Sequence, residues 1–247
     1  MYGRNRYSGG GVPGMTPMVQ RIMIACAVIW LLQLIVGRNG VPLTELGAVS
    51  VPGVFQQGFL WEPFTYMWLH STDSPWHLVM NMFSLWMFGG QLEMAWGSRR
   101  FLRFYLICGT GAGVIILGWN ALVGEWAPTL GASGAIYGVL TAFSLMWPDR
   151  TIMLLFPPIP MRAIWFIPFL FAIQLAMGGQ GNVSTVGHLG GVLVAALLLR
   201  TEVQRVLGLR TLRYRWHRMR MRNRLRAVRR DELERKQRSD DDRPTIH

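Results

Sequence analysis

The chain has 247 residues, of which 51% are hydrophobic and 15% charged, with a formal charge of +12. That composition excludes a pair of ordinary soluble domains and reads as one membrane domain with appendages. The charge is a topology signal, because the basic residues gather between and after the apolar runs.

A hydrocarbon core of about 30 Å requires about 20 mostly apolar residues per helical crossing. Six segments meet or approach that length: residues 19–37, 77–96, 101–122, 131–147, 163–178 and 185–200. The last two are short, and they span where the bilayer is thin or the helix is packed inside the bundle. The expected fold class is an all-α polytopic membrane protein. Residues 1–18 form an N-terminal arm, 19–200 the six-helix domain and 201–247 a basic tail. The first apolar segment follows a Gly-rich basic arm without a clear small-residue cleavage site, so we expect a retained helix. Cys26 and Cys108 fall inside apolar segments, where they serve packing rather than a disulfide.

Arg4 and Arg6 precede segment one and Arg21 sits at its start, Arg99, Arg100 and Arg103 mark the turn between two and three, and Arg150 and Arg162 flank the connection between four and five. The opposite loops carry Glu45, Glu62, Asp73 and Glu125 against Arg38. The positive-inside rule therefore puts both termini in the cytoplasm, with the cell membrane as the expected location.

Residues 39–76 are too apolar for an ordinary solvated loop. Val49, Val51, Val54, Phe55, Phe59, Leu60, Trp61, Phe64, Tyr66 and Trp68 suggest a compact outer element, either sunk into the interface or packed on protein. The basic tail, from Arg213 to Arg230, favours anionic lipid over nucleic acid as its partner. Leu209, Leu212, Trp216 and Met219 add apolar contacts. Residues 239–247 have a disordered composition.

Chemistry enters in three of the segments. His77 and Asn81, four residues apart, share a helical face and can both donate hydrogen bonds to a negative oxygen. The alternative is a polar helix start packed on a loop. Ser133 and Tyr137 repeat the spacing, among Gly131, Gly134 and Gly138, whose small side chains admit a neighbouring helix. The alternative there is a packing motif with an incidental hydroxyl. Gly-x-Ser-x-Gly is absent, since residue 135 is alanine, so this is not a hydrolase elbow. His188, with Gly191 and Ala195 on a small-residue track, can meet Ser133 and act as its base. Otherwise His188 is a hydrogen-bonded core residue. No Asp or Glu lies within segments four or six to orient it, which favours a dyad, and Tyr137 can stack on the imidazole.

These ordered motifs, together with Gly89-Gly90-Gln91-Leu92-Glu93 and Gly97-Ser98, make residues 21–200 resemble the rhomboid intramembrane serine proteases. The resemblance implies a six-transmembrane-helix rhomboid-like bundle that cleaves transmembrane protein substrates without metal or cofactor. It implies Ser133 as nucleophile and His188 as base. His77, Asn81 and the Ser133 backbone amide would form the oxyanion site, supported by Tyr137 and Gly131. Glu93 would be structural, anchoring the outer loop or neighbouring helices. The chain departs from the family pattern at Trp61-Glu62, where arginine is usual, in its longer interval from His70 to His77, and at Ala195, where glycine is usual. The competing class is a non-proteolytic rhomboid-like binding or quality-control protein, which would lose Ser133 or His188. A transporter is disfavoured because no inverted repeat is apparent. Glycine-rich residues 178–182, after Pro168 in segment five, suggest a mobile cap over the site.

Overall fold

A computed structural model describes residues 15–37, 43–153, 158–176, 185–206 and 208. The first helix, α1 (Pro17–Gly37), buries Val19, Ile22, Cys26 and Gln33, while Ile24, Val28, Leu31, Leu32 and Ile35 are exposed. A helix apolar on both its faces suits a lipid-facing position in a bundle.

The outer segment is a chain of short helices: α2 (Leu43–Gly47), α3 (Val51–Phe55), α4 (Glu62–Thr65) and a 3-10 turn at Tyr66–Trp68. Side chains tie it together: Thr65 Oγ1 donates to Gly47 O at 2.8 Å and Trp61 Nε1 to Leu46 O at 2.8 Å. Gln33 fastens it to α1, donating to Thr44 Oγ1 at 3.0 Å and accepting from His70 N at 3.0 Å, while Trp30 Nε1 donates to Ser71 O at 2.9 Å. Glu62 stands where the family pattern has arginine, yet it is fully buried and accepts hydrogen bonds from Ser50 N at 2.8 Å and Ser50 Oγ at 3.3 Å. The expected compact outer element is thus present, and it exposes Phe55, Leu60, Trp61 and Phe64 on its surface.

Ser74 caps α5 (Pro75–Ser84), accepting from Trp76 N at 3.3 Å, with Pro75 at a helix start where its missing N–H is harmless. A π turn at Leu85–Gly89 leads into α6 (Gly90–Trp96), and the backbone stays right-handed helical at Ser84, Leu85, Gly89 and Gly90. Segment two is therefore one helical path carrying a local widening that its sequence did not announce. From α6, the buried Glu93 carboxylate accepts from Met18 N at 2.9 Å, Val19 N at 2.9 Å, Thr16 Oγ1 and, at 2.5 Å, Ser98 Oγ. The first N–H groups of α1 lack partners within the helix, and this carboxylate supplies one while also complementing the helix dipole. Among the described residues, Glu93 thereby anchors neighbouring helices.

Next come α7 (Ser98–Val123), closed by Gly124 in the left-handed conformation, and α8 (Ser133–Met146), most of whose residues are buried. A small antiparallel ribbon, β1 (Thr151–Met153) on β2 (Pro160–Arg162), joins α8 to α9 (Ala163–Ala176), which contains Pro168. The last helix of this unit is α10 (Thr185–Leu198). A second unit begins at Thr201, just inside α11 (Arg200–Val206). Each of the six apolar segments contains a helix, with segment four entering it only at Ser133. Two of them, α1 and α7, are long and apolar enough to cross a membrane by themselves, and α8 and α9 are shorter apolar helices. The glycine-rich residues 178–182 and most of the basic tail lie outside the described residues.

The centre of the bundle is built on missing side chains. A Cβ on Gly191 of α10 would collide with the carbonyl of Gly134 in α8, and one on Gly138 would stand 2.7 Å from Cys108 Cβ and 3.5 Å from Gly191 O. Helix backbones without side chains between them gain close van der Waals contact, which drives helix association in lipid. Cys26 and Cys108 are both free and buried.

Candidate active site

The strand of chain entering α8 is held from both sides. Val49 and Thr129 exchange two backbone hydrogen bonds of 2.9 Å, and Gly131 N donates to Tyr66 O at 2.9 Å. Gly131 has φ +126, and a Cβ there would lie 2.8 Å from His77 Cε1, 2.9 Å from His77 Nε2 and 4.0 Å from Ser133 Oγ. Only glycine fits both the backbone conformation and the approach of the imidazole. Gly131 therefore marks the point where the His77 ring edge and the Ser133 hydroxyl converge.

His77 Nδ1 accepts a hydrogen bond from Ser71 N at 3.3 Å. A neutral imidazole that accepts at Nδ1 carries its proton on Nε2, the edge beside Gly131, so His77 presents a donor to the site. Asn81 commits one amide hydrogen to His77 O at 2.8 Å and retains a second. Ser133 is the first residue of α8, where backbone N–H groups have no intrahelical acceptor and the helix dipole is positive.

His188 is buried, and its ring stacks on Tyr137 with centroids 4.0 Å apart and planes at 13°. Three residues on in α10, Gly191 packs against Gly134, the residue that follows Ser133 in α8. His188 Nδ1 lies 3.1 Å from Gln174 Oε1, and Gln174 Nε2 donates to Thr185 Oγ1 at 2.7 Å. Sequence reasoning missed Gln174, because a lone glutamine in an apolar helix 14 residues from its partner carries no local spacing signal.

Ser133, His188, His77, Asn81, Tyr137 and Gly131 all line one cavity of about 240 Å³, whose other walls include Met80, Ile116, Leu140 and Leu170. Tyr66 lines it too and donates to Gly109 O at 2.8 Å, a role its position in the outer segment did not reveal. Among the described residues no group of three or more His, Cys, Asp or Glu is placed to hold a metal. Behind the site, in the outer segment, His70 is fully buried with its ring 5.3 Å from that of His77. Burial, then the neighbouring His77, pulls its pKa down to about 4, so it stays neutral. Burial raises the Glu62 carboxyl above its ordinary range, against the opposing hydrogen bonds from Ser50. Chemically, the cavity gathers a hydroxyl, an imidazole and several hydrogen-bond donors inside an apolar bundle.

Those features define a helical membrane bundle with a largely apolar cavity that holds serine and histidine. The rhomboid domain matches residues 57–205, more than half of the chain, and the protein belongs to the rhomboid family. It is 34% identical over 163 residues to RHOMBOID-like protein 6, mitochondrial, of Arabidopsis thaliana, covering 66% of this chain and 50% of the relative. It is 32% identical over 165 residues to RHOMBOID-like protein 1 of the same plant, covering 66% and 40%. With Rhomboid protein 1, mitochondrial, of Saccharomyces cerevisiae (strain ATCC 204508 / S288c) it shares 34% identity over 129 residues, covering 49% and 36%. The chain thus spans half the length of these relatives or less. Several relatives are named as mitochondrial, so the family does not support the cell membrane as the expected location.

Proposed function

We propose that this protein is an intramembrane serine endopeptidase acting on transmembrane protein substrates. The observation that carries the reading is the single cavity shared by Ser133, His188, His77 and Asn81. In this mechanism His188 Nε2 takes the Ser133 hydroxyl proton as Oγ attacks the scissile carbonyl. Negative charge develops on the carbonyl oxygen, which receives hydrogen bonds from His77 Nε2, the free Asn81 amide hydrogen and the Ser133 N–H. The protonated imidazole then gives its proton to the departing amine, leaving an acyl-enzyme. Water, deprotonated by the same base, attacks that ester and frees Ser133. Tyr137 holds the plane of the imidazole by stacking, and Gly131 admits His77 to the oxyanion position.

The reading includes six membrane-crossing segments, the second being α5 through α6, with both termini on the arginine-rich side and the cavity nearer the opposite face. The test is reconstitution of the purified chain in liposomes with an unrelated single-span protein. Wild type should cleave it, and Ser133→Ala and His188→Ala should not. An intact substrate after incubation with folded wild type would instead favour a non-proteolytic rhomboid-like binding protein.

A further inference from the structure

We propose that Gln174 is a positioning residue for His188, selecting the tautomer that acts as base; this rests on the proteolytic reading above. Gln174 projects from α9, and its amide spans two residues on one face of α10. Its oxygen lies 3.1 Å from His188 Nδ1, and its nitrogen donates to Thr185 Oγ1 at 2.7 Å. Thr185 and His188 are three residues apart, so a single amide bridges neighbouring positions of one helix. With its nitrogen committed to the threonine hydroxyl, the amide offers His188 an acceptor only. Nδ1 must then carry the proton, which leaves the lone pair on Nε2, the nitrogen that can receive a proton from Ser133.

The stack on Tyr137 fixes the plane of the imidazole but does not distinguish its two nitrogens. The edge contact from Gln174 does. Among the described residues lining the cavity, the titratable groups beside His188 are His77, Tyr66 and Tyr137, and no carboxylate is among them. An amide therefore takes the place that a carboxylate would occupy in a triad. It strengthens its hold when His188 becomes charged, since a cationic donor makes the stronger hydrogen bond. It also avoids placing a charged carboxylate beside His188 in the bundle. The opposite amide rotation would give Nε2–H and a histidine unable to accept the serine proton.

The full chain, labelled with ¹⁵N-histidine in detergent micelles at alkaline pH, reports the tautomer directly by NMR, with the His188 signal assigned by its loss in His188→Gln. Wild type and Gln174→Glu should show Nδ1–H, and Gln174→Leu should show a mixture. In liposomes, Gln174→Leu should lose about tenfold in kcat with KM unchanged, while Gln174→Glu, which keeps the acceptor, restores turnover. An Nε2–H tautomer in wild type, or unchanged tautomer and kcat in Gln174→Leu, would overturn the proposal. Should Gln174→Leu fail to fold, Thr185→Val removes the amide's anchor instead and should also mix the tautomers; an unmixed signal there overturns it equally. The tautomer is read without catalysis, so a wild type with Nδ1–H and no cleavage defeats the protease reading alone.

Discussion

Gly191→Ala is the substitution that most sharply couples packing to chemistry. The new Cβ would collide with the Gly134 carbonyl oxygen, with the Gly134 carbonyl carbon at 2.8 Å and its Cα at 3.3 Å. Non-bonded carbons rest at about 3.5–4.0 Å, so α10 must withdraw from α8 by about 1 Å. The obstacle is backbone, which cannot rotate aside as a side chain would. Overpacking of this kind costs about 1–3 kcal/mol of stability. His188 rides on the same helix one turn away, and a displacement of about 1 Å at a catalytic group costs about 100-fold in rate. The assay is kcat for a transmembrane reporter in liposomes alongside thermal unfolding, with Gly118→Ala as control, since nothing lies within 4 Å of a Cβ at Gly118. Gly118→Ala should retain full activity. A Gly191→Ala protein that is folded and cleaves at the wild-type rate would refute the link between this helix contact and the placement of His188.

His77→Ala and Asn81→Ala should each raise the barrier by about 2.7–4 kcal/mol, read as a fall in kcat with little change in KM. Glu93→Ala leaves the first N–H groups of α1 without their carboxylate and should lower the unfolding midpoint by the equivalent of about 1–3 kcal/mol. For Glu62, burial holds the folded-state pKa above that of the unfolded chain, so the folded state keeps its proton more tightly. Its contribution to stability is greatest below the ordinary carboxylate range and falls as pH rises through the window between the two values. Glu62→Gln keeps an acceptor for Ser50 and should flatten the fall in unfolding midpoint as pH rises above the ordinary carboxylate range; an unchanged slope would count against a raised Glu62 pKa.

What could be read in advance followed from regular spacing. The bilayer's fixed thickness made the apolar segments legible, and each contains a helix, because a long apolar run has few other ways to satisfy its backbone in lipid. The four-residue pairs His77/Asn81 and Ser133/Tyr137 were legible because a helix places such residues on one face. The glycines anticipated the contact of α8 with α10. Contacts between distant segments were not legible. Glu93 caps a helix 74 residues earlier in the chain through Val19, and Gln174 of α9 reaches His188 of α10; neither leaves a local pattern. The outer segment announced its apolarity but not its short helices, which are tied by separate contacts of Ser50 with Glu62, Thr65 with Gly47 and Gln33 with Thr44. At Leu85–Gly89, an apolar run that reads as ordinary helix widens into a π turn, which composition cannot signal.

The most direct test of Ser133 as an activated nucleophile is reaction of the folded, membrane-reconstituted chain with a fluorophosphonate, followed by peptide mass spectrometry. We expect one adduct on Ser133, lost in Ser133→Ala and strongly slowed in His188→Ala. An unlabelled Ser133 in folded wild type, or an adduct on another residue that persists in Ser133→Ala, would contradict the assignment.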